Sequence, residues 1–185
     1  MRTLIFLALL SPLSCMIARS AQPSPTILFP EDAGVIDVTA PPYNAQGDGM
    51  SDDTEALQKA LDASGDNTIV YLPRGTYLVS AQLRWPPSDR GNSKRGGHKR
   101  TILQGENREE TIIKLEDNCP GFTRTGERRD RKGRVHITRR GMIWCGTAPA
   151  QRFRNAIWDL TVDTGNGNAG VSGIQFVANN QGAVR

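Results

Sequence analysis

Apolar residues in this chain recur in short runs. Runs rich in β-branched and aromatic residues occupy residues 69–72, 77–80, 82–85, 101–104, 111–115, 140–145, 156–163 and 173–178. Gly, Pro and Asn separate them, so each reads as a short strand. Within 156–163 the alternation is legible. It predicts Ala156, Trp158, Leu160 and Val162 facing an interior, with Ile157, Asp159, Thr161 and Asp163 facing out. The spacing changes in one place. Ala56, Leu57, Ala60 and Leu61 make a stripe of helical period, predicting one helix of about ten or eleven residues. A helix this short is not stable alone, so its stripe must cover something. No long helical pattern follows Ala63. The prediction is an all-β architecture, a solenoid or a sandwich. No exact repeat is visible, and solenoid turns often repeat in shape without repeating in sequence.

The approach to the helix is built from turn chemistry. Gly47 and Gly49 bracket Asp48 and allow positive φ on both sides of it. Ser51 or Asp52 is expected to cap the helix, and Asp52 with Glu55 has the spacing of a capping box. Asp53 and Glu55 place negative charge on the first turn, where the helix dipole favours it. Ser64-Gly65 is the expected stop. Asp48, Asp52, Asp53 and Glu55 therefore all have structural roles as cap and turn residues.

Two stretches carry a family resemblance. GDG-x-x-DDT-x-A-L-Q-x-A from Gly47 to Ala60, followed by YLPRGTYLVS from Tyr71 to Ser80, resembles the pectate-lyase-like superfamily. Its members include rhamnogalacturonase-, polygalacturonase- and epimerase-like proteins, some β-glucanases and phage tailspikes. The resemblance covers residues 34–105 well and has a second matching region at 153–185. It implies a right-handed parallel β-helix over residues 30–185, of which this chain holds the N-terminal portion. The short helix would cap the first coil, and the PxGxY segment would form a corner between coils. For function it implies an exported carbohydrate-active protein. The expected role is the N-terminal part of a polysaccharide-degrading enzyme, a glycoside hydrolase or polysaccharide lyase, acting on an acidic glycan. The alternative is a non-catalytic glycan-binding or surface-adhesion module. The implied partner is a polysaccharide. No cofactor is evident, and calcium enters by family analogy alone. Fold says little about activity in a superfamily with so many.

The start of the chain reads as a secretory signal over residues 1–20. Arg2 supplies the positive start, residues 4–10 the apolar core, and Ala18-Arg19-Ser20 a small-x-small cleavage site. The apolar run is far below the roughly 18 residues that a membrane span needs. The protein is therefore expected outside the cytoplasm, periplasmic or extracellular. Losing Arg2 and Arg19 lowers the formal net charge from +4 to +2, which is not a nucleic-acid-binding balance. Cys119 and Cys145 remain after Cys15 is removed. In an exported protein they can pair, with about 3–4 kcal/mol of stabilisation from loop closure. The other reading is two separately buried thiols.

Little in the chain resembles a catalytic centre. Asp159 and Asp163 share a predicted face but stand about 13 Å apart at strand rise, too far for a glycosidase pair. His98 and His136 are isolated in basic segments without metal-ligand spacing. Asp48, Asp52 and Asp53 lack the ligand pattern of a calcium loop. Catalytic residues are not assigned, and no metal site is expected. Asn166, Asn168, Asn179 and Asn180 lie among glycines, where left-handed turns or ladders between coils are expected.

The strongest functional signal is charge. Residues 86–100 and 118–141 read as loop insertions. Within the second, Arg124, Arg128, Arg129, Arg131, Lys132, Arg134, Arg139 and Arg140 are opposed only by Glu127 and Asp130. Arg128, Arg129, Arg131, Lys132 and Arg134 are the candidate substrate-binding residues, because Arg suits bidentate recognition of carboxylate. The alternative is a solvated loop. The chain stops soon after a turn, at Arg185, with no evident C-terminal cap. The expectation is that further coils belong to a longer protein.

Overall fold

A computed structural model describes residues 27, 29–30, 33–85, 100–146, 153–177 and 181–185. The predicted signal, most of the 86–100 insertion, His98, Asn179 and Asn180 lie outside the described residues.

The described residues form one short helix and fourteen strands. In chain order these are β1 (Val35–Asp37), β2 (Asp48–Asp52), α1 (Thr54–Ala63), β3 (Ile69–Leu72), β4 (Gly75–Val79), β5 (Leu83–Arg84), β6 (Ile102–Gly105) and β7 (Thr111–Leu115). There follow β8 (Gly126–Arg129), β9 (Val135–Thr138), β10 (Arg140–Trp144), β11 (Ala156–Trp158), β12 (Thr161–Asp163), β13 (Val171–Gln175) and β14 (Ala183–Val184). The all-β expectation with a single short helix holds.

Three parallel sheets carry the fold. The first runs β1-β3-β6-β11-β14, the second β2-β4-β7-β12 and the third β5-β10-β13. The chain enters them in the same cyclic order. On the first pass α1 follows β2 and takes the place in that order where later passes supply a third-sheet strand. Parallel neighbours need long crossovers. Here the visits to the other two sheets are the crossovers.

Because the registers align, like stacks on like. In the first sheet Ile36, Val70, Leu103, Ile157 and Val184 form one row. Tyr77, Ile113 and Val162 do the same in the second, and Leu83, Ile143 and Ile174 in the third. Their middle members are fully buried. Each such aliphatic side chain contributes about 1.5–3 kcal/mol on burial.

α1 covers this core with Leu57, Ala60 and Leu61, as its stripe predicts, and ends at Ser64. It also closes the open edge of the third sheet. The Gln58 amide acts like a strand's peptide group: Arg84 N–H donates to Gln58 Oε1 at 2.8 Å, and Gln58 Nε2 donates to the Arg84 carbonyl at 2.9 Å. Satisfying an edge in this way removes a template for wrong pairing.

The start of the helix differs from the expected capping box. Thr54 is the first helical residue, Asp53 is the N-cap, and its carboxylate makes no cap bond. It turns back instead, accepting from Gln46 N–H at 2.6 Å and Gly47 N–H at 3.0 Å. Asp52 ends strand β2 and accepts from Thr54 N–H at 2.9 Å and Ser80 Oγ at 2.6 Å. Burial would raise its pKa, but the hydrogen bonds from Ser80 and Thr54 outweigh this and hold it below the usual range. Asp48 accepts from Met50 N–H, Ser51 N–H and Ser51 Oγ, and these bonds lower its pKa. Gly47 and Gly49 have φ of 61° and 74°, as the turn requires. Tyr77 of the PxGxY segment packs against this turn and donates its hydroxyl to the Pro73 carbonyl at 2.8 Å.

Two other expectations need correction. The run 156–163 is two strands, because Asp159 adopts φ 52° and turns the chain. The alternation therefore changes phase, and Ile157 points into the core rather than out. Glycines 165 and 167 take the positive φ there, while Asn168 is buried. Asn168 accepts from Cys119 N–H and donates to the Glu116 and Thr164 carbonyls.

Cys119 and Cys145 form no disulfide, and both are buried. The Cys119 thiol instead donates to the Ser80 carbonyl at 3.0 Å. Burial, followed by the nearby Glu116, pushes its pKa up, so it stays protonated and unreactive. Alkylation of the native protein is expected to spare both thiols. Unfolding without reductant should expose both, and recovery of a Cys119–Cys145 linked peptide would overturn the assignment.

Candidate functional site: a cationic groove on the third sheet

The arginine-rich segment is not a plain loop. Residues 126–138 form an antiparallel hairpin, β8 with β9, pairing Glu127 with Ile137 and Arg129 with Val135. β-branched residues at Val135, Ile137 and Thr138 suit a strand, but the density of charge hides them. All eight strand residues are exposed.

Asp130 organises the hairpin loop. It accepts from Lys132 N–H, from Arg134 N–H and Nε, and pairs with His136 Nε2 at 3.2 Å. The bond from Arg134 and then that from His136 hold its carboxyl below the usual range. Arg129 donates to the Gly133 carbonyl. Of the predicted binding residues, Arg128 and Arg129 thus lie on β8, and Arg131, Lys132 and Arg134 lie in the loop. None of the five lines the concavity beside the hairpin.

That concavity lies at the base of the hairpin, over the outer face of the third sheet. It is a groove of about 550 Å³. Its walls include Arg84, Arg124, Arg139, Arg140, Gln82 and Trp144, with Gln175 beside them and no carboxylate among the lining residues. Register explains the grouping: Arg84, Trp144 and Gln175 form one lateral row across β5, β10 and β13. Their inward neighbours are the core row Leu83, Ile143 and Ile174. Arg84 lies over the Trp144 ring at 5.5 Å, and Arg140 over the Phe122 ring at 5.1 Å. Three of the four arginines belong to the cluster visible in the sequence. Arg84, Gln82, Trp144 and Gln175 were not singled out there. The alternation of Gln82 and Arg84 about Leu83 is the signal that marks them as outward-facing.

Three further carboxylates face arginines away from the groove. Arg74 pairs with Glu106 at 2.9 Å and with Glu110 at 3.0 Å, and Asp159 faces Arg108 and Arg185 at 3.9 and 4.0 Å. The turn at Asp159 also removes it from any shared face with Asp163. No group of three or more His, Cys, Asp or Glu among the described residues could hold a metal ion. The oxygens of Asp48 and Asp53 accept from N–H and O–H donors of the turn. No described helix is long and apolar enough to cross a membrane.

Residues 38–184 match the family described as rhamnogalacturonase A/epimerase, pectate lyase-like. The chain belongs to this family. Members and relatives differ in what they do. A segment of 57 residues, 30% of this chain, is 42% identical to a non-secreted LysM effector of Penicillium expansum, LysM19. Over 112 residues, 56% of the chain, identity is 36% to the mannuronan C5-epimerase AlgE3 of Azotobacter vinelandii. Over 80 residues, 35% of the chain, it is 34% to a probable glucan endo-1,3-beta-glucosidase of Arthroderma benhamiae. The matched segments make up 4%, 6% and 9% of those relatives. Carbohydrate-active proteins recur among the relatives, and phage pre-neck appendage proteins stand beside them.

Proposed function

We propose that the groove over the third sheet binds an acidic polysaccharide. On this reading the chain is an exported right-handed parallel β-helix, with α1 as the cap of its first coil. It serves as part of a polysaccharide-degrading enzyme, a glycoside hydrolase or lyase. The observation that carries this is four arginines and no carboxylate among the residues lining one groove. A concavity of one sign concentrates a polyanion of the other. The family relationship supports a glycan as that polyanion, and the leader residues support export.

The second reading is a glycan-binding module without catalysis. It is favoured by the absence of a carboxylate pair among the groove's described lining residues. Polygalacturonate, a sulfated glycan and a neutral β-glucan separate the readings. The acidic polymers are expected to bind, more weakly as salt rises, and the β-glucan not at all. Release of reducing ends marks a hydrolase and unsaturated ends a lyase. Binding without either product supports the module, and equal binding of all three polymers overturns the acidic-glycan reading.

A further inference from the structure

The four groove arginines are not equivalent. Arg84 combines a side-chain hydrogen bond with a ring contact, whereas Arg140 has the ring contact with Phe122 and a backbone bond to Gly170. The Arg84 backbone is clamped on both sides by Gln58 of α1, through the 2.8 and 2.9 Å bonds already described. Its Nε donates to Gln82 Oε1 at 2.9 Å. Gln82 is itself fixed, donating Nε2 to the Gly141 carbonyl at 2.7 Å. The guanidinium plane is then backed by the Trp144 ring at 5.5 Å. These contacts occupy Nε and one face of the group. The two terminal nitrogens carry no hydrogen bond to a described residue, and they belong to a residue that lines the groove. By contrast, no described side chain bonds to Arg139, which lines the same groove.

An arginine left with its terminal fork free, and with its rotamers already restricted, matches a planar carboxylate in two parallel hydrogen bonds. Most of the entropy of ordering a long side chain is then lost on folding rather than on binding. Arg140 stands four residues before Trp144 on the neighbouring strand, about 13 Å along the sheet at strand rise. A single small anion does not span both, whereas an extended polymer lying along the strands does.

We propose that Arg84 reads a carboxylate of the bound glycan, and that Gln58, Gln82 and Trp144 are positioning residues that hold its fork. The proposal rests on the groove reading given above.

The test keeps charge constant and changes geometry. Binding of polygalacturonate and of carboxyl-reduced polygalacturonate is measured for the full chain, Arg84→Lys, Arg139→Lys and Gln82→Ala, across a range of salt. Arg84→Lys is expected to weaken binding of the acidic polymer about tenfold while leaving the salt dependence unchanged, because the net charge is the same. Gln82→Ala should weaken it about threefold, again without a change in salt dependence. Arg139→Lys, at a groove residue without these holding contacts, should weaken it by a smaller factor than Arg84→Lys, about twofold. Equal losses for Arg84→Lys and Arg139→Lys, with cooperative melts retained, would overturn the special role of Arg84 but leave the groove reading standing. Failure of the unaltered chain to prefer the acidic polymer over its reduced form would overturn the groove reading, and the role of Arg84 with it.

Discussion

Gly170→Ala is expected to destabilise the fold by about 3 kcal/mol and to open the groove. The reason is backbone contact rather than conformational freedom. A methyl group at this position would lie 1.9 Å from the Arg124 carbonyl oxygen and 2.8 Å from that of Phe122. Gly170 N–H donates to the Phe122 carbonyl at 2.7 Å, and the Gly170 carbonyl accepts from Arg140 N–H at 2.9 Å. The turn that carries Phe122 and Arg124 is thus pinned between the start of β10 and the start of β13. Neither neighbour can move aside like a flexible side chain, so the substitution forces backbone shifts of the costly kind. Gly65→Ala is the comparison, since its added methyl meets only Thr68 Oγ1 at 4.0 Å. It should change stability by less than about 1 kcal/mol. Urea midpoints for the two variants decide the matter. A Gly170→Ala protein as stable as Gly65→Ala would show that the turn is free to yield. Polygalacturonate binding should fall with Gly170→Ala even where the protein remains folded, because Arg124 and Arg140 lose their relative placement.

Asp53→Ala is expected to cost about 2–3 kcal/mol. Asp53 is 2% exposed, and its two oxygens each take one backbone N–H, from Gln46 and Gly47. Removing the carboxylate leaves both donors without a partner, and such groups cost about 1–3 kcal/mol each when water cannot replace the bond. The loss stays in the lower half of the summed range because Gln46 is exposed and water reaches that side of the turn. Asp53→Asn keeps one acceptor and brings an amide N–H₂ against a donor, so it should fall between Ala and the native residue. Asp48→Ala is the contrast. It removes three hydrogen bonds, but from an exposed turn where water takes their place. It should cost less than about 1 kcal/mol. Thermal or urea melts in which Asp48→Ala and Asp53→Ala lose equal stability would contradict the assignment of the buried carboxylate as the holder of the turn.

Much of the scaffold is legible in the residue pattern. The helix stripe, the bounds of β3 and β7, and the turn glycines follow from local rules of burial and backbone geometry. What escapes those rules is set by pairing at a distance. β2 has the polar sequence DGMSD and is a strand because β4 lies beside it. The phase of 156–163 changes because one non-glycine residue takes a left-handed turn. The groove is the extreme case. Arg84, Trp144 and Gln175 come from strands far apart in the sequence, and only the register brings them into one row. The arginine cluster is visible as charge, yet its densest part sits on the outer end of a hairpin, while its flanks at Arg124, Arg139 and Arg140 line the groove. The free state of Cys119 likewise depends on the Ser80 carbonyl, which reaches it from an earlier pass of the chain.

The hairpin of β8 and β9 is spliced between a second-sheet strand and a third-sheet strand, and its ladder joins only its own two strands. Stacked solenoids draw their stability from nearest-neighbour turns. A longer excursion at one corner adds only a slowly growing closure entropy. Inheritance can therefore rewrite the arm, in length or charge, while the stacked rows of Ile, Val and Leu carry on unchanged beneath it. The arm and the stacked body can thus diverge at different rates, which suits a family whose relatives include epimerases and a probable glucanase.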